Sequence, residues 1–262
     1  MSVLITYLVL GAFSGTMAGL LGVGGGLIIV PVLAWLFTSN GVAPAIIMHL
    51  AIGTSLGIIV VTSVSSVRAH HHHGAVQWTV FRQLTPGIIV GALAGAAIAD
   101  VLTSDVLRIV FGLLVLVIAA QMGFGRNPSA HRRLPGAAGM SVSGTVIGSV
   151  SALMGIGGGS LTVPFLSWCN ISLRQAVATS AACGLPIAVA GTAGFVVMGW
   201  NEDMLPDKAF GYVYLPALVS VIITSMLFAP VGARLAHRLP VTTLKRVFAI
   251  FLVLVGLNML WG

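Results

Sequence analysis

The sequence predicts an all-α polytopic membrane protein made of two inverted repeats, each holding a glycine-broken helix pair, re-entrant or short, plus three transmembrane helices. The first observation is composition. The 262 residues are 58% apolar and 6% charged, with a mean hydropathy of +1.09, where an ordinary soluble domain carries roughly 25% charge. So few charges cannot cover a soluble globule, which excludes a cytosolic enzyme, a nucleic-acid-binding domain and a disordered chain. The second is a series of apolar runs separated by short breaks, and the third is a duplication across nearly the whole chain.

The runs place helices at residues 2–21, 26–37, 45–67, 84–99, 106–122, 139–155, 159–169, 174–199, 210–230 and 243–261. At ~1.5 Å rise per residue, most can cross a ~30 Å hydrocarbon core. Those at 26–37 and 159–169 reach about half way, and each follows a glycine cluster. No Lys or Arg precedes Arg68, so the first run lacks the charged region of a signal peptide and reads as mature structure.

Residues 15–33, GTMAGLLGVGGGLIIVPVL, align without a gap on 148–166, GSVSALMGIGGGSLTVPFL, at an offset of 133. His49, Ala51, Thr54 and Ser55 fall on Arg174, Ala176, Thr179 and Ser180 at 125, and Gly95, Leu107, Phe111 and Met122 on Gly232, Leu244, Phe248 and Met259 at 137. The expected division is a first repeat at 1–122, a cytoplasmic linker at 123–138 and a second, inverted repeat at 139–262.

The net charge is +7, and ten of the twelve Lys and Arg residues are gathered in short segments around Arg68 to Arg82, Arg126 to Arg133, Arg174, and Arg234 to Arg246. They read as topology signals at a membrane surface. If each glycine-broken pair enters and leaves on one side, every such segment is cytoplasmic and both termini lie outside. Each half then has an odd number of ordinary crossings, so the halves are inverted, as in secondary transporters.

A helix broken inside the membrane exposes amides and carbonyls that lipid cannot satisfy, so it must face protein or a polar cavity. The half-helix after each break directs free N–H groups and its positive dipole end at that cavity, which suits an anion. The expected substrate-binding residues are therefore Gly24, Gly25 and Gly26, with Gly157, Gly158 and Gly159 in the second copy. Thr54, Ser55, Thr179 and Ser180 supply neutral hydroxyls, and His49 and Arg174, five residues before each pair, attract or gate the anion.

Other features read structurally. Cys169 and Cys183 are small apolar residues, His70 to His73 form a solvated cytoplasmic loop, and Trp78, Trp200 and Trp261 belong to an interfacial belt. All five acids, Asp100, Asp105, Glu202, Asp203 and Asp207, are assigned to loops. No carboxylate is left in the membrane for a proton relay or metal, which counts against a cation pump, a prenyl-transfer enzyme or a membrane metalloprotease.

The doubled GxGGG followed by a proline, at Gly22 to Pro31 and Gly155 to Pro164, resembles the TauE/SafE family of sulfite and organosulfonate exporters. So do Gly53-Thr54-Ser55 with its counterpart Ala178-Thr179-Ser180, and Arg68-Ala-His followed by Gly74-Ala-Val-Gln-Trp78. His49 stands where lysine or arginine is frequent in the family. The resemblance implies an inner-membrane exporter, not an enzyme, that moves a small sulfur-containing anion by alternating access. It needs neither cofactor nor metal. Its expected partners are that anion and the lipid bilayer, with no nucleic acid, and a homo-oligomer stays open. The alternatives are a carrier for another solute, such as a divalent cation sensed by the histidine run, and a non-transport scaffold.

Overall fold

The computed structural model describes residues 2–21, 25–72, 74–124, 134–236 and 241–261. They form α1 (Ser2–Leu21), α2 (Gly26–Ser39), a 3-10 turn (Pro44–Ile46), α3 (Ile47–His72), α4 (Trp78–Val101), α5 (Ser104–Phe124), α6 (Ala137–Met154), α7 (Gly159–Trp168), α8 (Leu173–Met198), α9 (Leu215–Ala236) and α10 (Val241–Trp261). Among the described residues no strand occurs beyond one isolated bridge, Ala209 with Tyr214. Among the described residues six helices are long and apolar enough to cross a membrane. With 14 and 10 residues, α2 and α7 reach only ~21 and ~15 Å.

Helix ends follow one device. Gly41, Gly74, Gly155 and Asn170 all have φ above +60°. After α2, α3, α6 and α7 these residues close paired bonds back onto the last turn, such as Gly155 N–H to the Ala152 carbonyl and Ile156 N–H to that of Ser151. This corrects the histidine loop. Gly74, not His70, carries the stop, so α3 runs through His72, and the His71 ring meets Trp78 edge-on at 5.5 Å. His73 lies outside the described residues. The loop assignment of two acids is also corrected. Asp100 sits in the last turn of α4, and Asp105 in the first turn of α5, where it complements the helix dipole; both are exposed.

The halves pack by exchange. α1 lies on α9 and α4 on α6, while α3 meets α8 and α5 meets α10. Swapping every helix for its repeat counterpart leaves these pairings unchanged. The equivalence holds residue by residue: Gly11 and Gly15 of α1 abut the backbone of Val221 and Ser225, while Gly144 and Gly148 of α6 abut that of Leu84 and Ile88. The offsets of 133 and 137 map one set onto the other. Glycine at these seams removes the Cβ that would collide with backbone, so helices approach closely where apolar burial supplies no drive.

α3 is the central element, with 78% of its most apolar window buried, against 28% for α9. Its Leu50, Ile52 and Leu56 join Leu27, Val30 and Leu33 of α2 in a fully buried core. Large apolar side chains such as Val117, Val146, Leu227 and Leu254 point outward, as a bilayer-facing surface requires.

Candidate functional site

The two glycine turns touch. A Cβ on Gly26 would strike the Gly155 carbonyl and lie 2.9 Å from Ile156 Cα. Residues 125 or more apart in sequence therefore form one centre, walled by α3 and α8. In the second turn Gly155 stops α6 in a left-handed conformation, and Gly158 and Gly159 start α7. Gly158 packs against α8, where an added Cβ would sit 2.8 Å from the Ser180 carbonyl and 3.2 Å from the Gly184 amide. In the first, Gly25 precedes α2 and Gly24 lies outside the described residues. Neither α2 nor α7 has a side-chain cap; in α2 the Ile28 and Ile29 amides both donate to the Gly25 carbonyl, while in α7 the Thr162 amide donates to the Gly158 carbonyl, so the amides ahead of these keep their donor capacity.

The hydroxyls expected around the turns are tied down. Ser55 donates to the Gly155 carbonyl at 2.8 Å, pinning α3 to the second turn, and Ser180 donates to the Val177 carbonyl of its own helix, also at 2.8 Å. Thr54 and Thr179 perform one task in two copies. Thr54 Oγ1 accepts the Tyr214 amide at 2.9 Å, and Thr179 Oγ1 the Gln77 amide at 3.0 Å. Each amide stands one residue before the fourth helix of a half, α9 or α4.

His49 and Arg174 are not brought together with the glycines. Each lies six residues, or ~9 Å along its helix, before the serine at the turns. Arg174 is exposed. His49 is buried, its Nε2 facing the carbonyls of Ala99 at 2.9 Å and Leu102 at 3.1 Å. Carbonyls only accept, so Nε2 carries the proton. The ring lies 5.0 Å from that of Tyr212, whose hydroxyl donates to Asp100 at 3.3 Å. Burial pushes the Tyr212 phenol up to about 12, helped by the negative charges of Asp100 and Glu202 and the bond to Asp100.

Over residues 7–259 the chain matches the family described as Sulfite exporter TauE/SafE. It belongs to that family. A probable membrane transporter protein of Haemophilus influenzae is 36% identical over 254 residues, 96% of either chain. Similar proteins, both called probable membrane transporters, occur in Methanocaldococcus jannaschii, at 24% identity over 97% of this chain and 94% of its own, and in Bacillus subtilis (YunE), at 25% over 97% and 96%. No solved structure matches. The protein is thus a multi-pass membrane transporter of the TauE/SafE family.

Sequence reasoning missed three hydroxyls of this TauE/SafE chain, flanking the second turn, that have no partner. Ser151, Ser160 and Thr162 are buried, at 1%, 8% and 0% exposure, and none of their side-chain oxygens makes a hydrogen bond. The signal was present in the repeat: Ser151, Ser160 and Thr162 replace Ala18, Leu27 and Ile29 of the first copy.

Proposed function

We propose that this transporter exports a small sulfur-containing anion, sulfite or an organosulfonate, from the cytoplasm across the bacterial inner membrane, by alternating access around the joined glycine turns. The observation that carries the reading is the contact of Gly26 with Gly155 and Ile156, which brings two uncapped helix starts to one buried centre. Free amides and positive dipole ends suit a negative solute without a fixed cation. The family description supports the sulfur oxyanion as the solute class.

Direction follows from electrostatics. With the cytoplasm negative, outward movement of one negative charge gains about 2.3 kcal/mol per 100 mV. Export then needs no coupling ion, in keeping with five acids none of which is buried. The exchange of helices between halves supports an inverted repeat, in which two packings of equivalent elements alternate the opening of one site.

The test is efflux of sulfite from proteoliposomes carrying Gly26→Val or Gly158→Val. Added atoms at either position meet backbone, not a movable side-chain tip. The expected result is lost efflux with normal membrane insertion; undiminished efflux in both variants would remove the glycine turns from the transport path.

A further inference from the structure

We infer that the two turns are not equal partners, and that the anion is held by the second turn alone, through the first-turn amides of α7 and the hydroxyls of Ser160 and Thr162, with Ser151 in the last turn of α6 just before the same turn. This rests on the exporter reading above and deepens it by assigning the ligating groups to one repeat. The Thr162 oxygen lies 3.3 Å from where a Gly158 Cβ would be, so it leans back to the start of its own helix, as helical side chains do. At the first turn that position is filled by carbon: the Ile29 Cδ1 methyl lies 2.9 Å from the Cβ point of Gly25. One helix start therefore offers a hydroxyl where its copy offers a methyl.

A buried hydroxyl without a partner costs free energy that an apolar replacement of the same shape would recover. Three such groups border one turn, while the matched positions of the other copy, Leu27 and Ile29, are fully apolar and buried. A ligand that accepts hydrogen bonds resolves that cost. Ser160 and Thr162 stand ~200° apart around the helix axis, so they flank the helix start on opposite sides. The group set consists of neutral donors: three hydroxyls and the amides of an uncapped turn. It fits a small oxyanion with several acceptor oxygens, of the sulfite or sulfonate type, better than a spherical halide. Arg174, exposed in the first turn of α8, takes no part.

The experiment uses the full-length protein in lipid nanodiscs, titrated calorimetrically and by thermal shift with sodium sulfite, sodium methanesulfonate and sodium phosphate, against sodium chloride at equal ionic strength. Thr162→Val and Ser160→Ala are expected to weaken sulfite or methanesulfonate binding roughly tenfold or more each, the range for a hydrogen bond to a charged acceptor. The unliganded melting temperature should hold or rise, because an orphaned hydroxyl is removed. Thr162→Ser should restore most of the affinity. Thr192→Val removes another unpartnered hydroxyl, ~18 Å along α8 from Ser180, and should leave affinity unchanged. Wild-type binding of sulfite with unaltered affinity in both hydroxyl variants would overturn the second-turn site and leave the exporter reading standing. Hydroxyl-dependent binding of phosphate alone would keep the site and overturn the sulfur substrate. Wild-type protein stabilised by no oxyanion would overturn both.

Discussion

Thr54 and Thr179 show how one residue type at matched positions acquires a structural task. Each accepts an amide that no helical carbonyl-to-amide ladder serves, just ahead of α9 or α4. Thr54→Val or Thr179→Val strands that amide and is expected to destabilise the protein by about 1–3 kcal/mol, read as a lowered melting temperature in detergent, with anion affinity retained. Tyr212 sets a pH limit. Its pKa of about 12 lies above the ordinary 10, so folding favours the neutral phenol. That contribution is complete below pH ~10 and is lost as pH rises through 12. Thermal stability is expected to fall across this window, and Tyr212→Phe should blunt the fall.

At the scale of the element, the glycine seams decide which helices can touch. Gly148 on α6 and Gly15 on α1 occupy equivalent places against α4 and α9. Leucine at either forces apart two backbones in contact. Overpacking of this kind costs about 1–3 kcal/mol or more, so both variants are expected to lower the melting temperature by similar amounts, reflecting the equivalence of the seams. A large loss at one and none at the other would break it. The helix ends were partly legible. Gly41, Gly74 and Gly155 are visible stops in the sequence, but the histidine run hid the one at Gly74 because its polarity mimics a loop. Asn170 ends α7 in the same left-handed conformation, a role that asparagine fills less often than glycine.

For the whole molecule, the charge pattern predicts that Asp203 faces outside and Arg174 the cytoplasm. In a background without Cys169 and Cys183, Asp203→Cys should react with an impermeant maleimide on intact cells, and Arg174→Cys only after permeabilisation. Both side chains are exposed, so burial does not confound the comparison. The reverse labelling would invert the topology.

Composition and the spacing of apolar runs by themselves determined the membrane class and the helices found among the described residues, because hydropathy and glycine's backbone freedom are local properties written into each segment. Only the tertiary structure decided which polar groups are already satisfied. Ser55 is spent on Gly155, a hundred residues away, and His49 is drawn to the end of α4, while Ser151, Ser160 and Thr162 remain without partners. A hydroxyl's availability depends on what packing brings within ~3 Å of it, and contacts between distant segments have no signature in the spacing of residues along the chain.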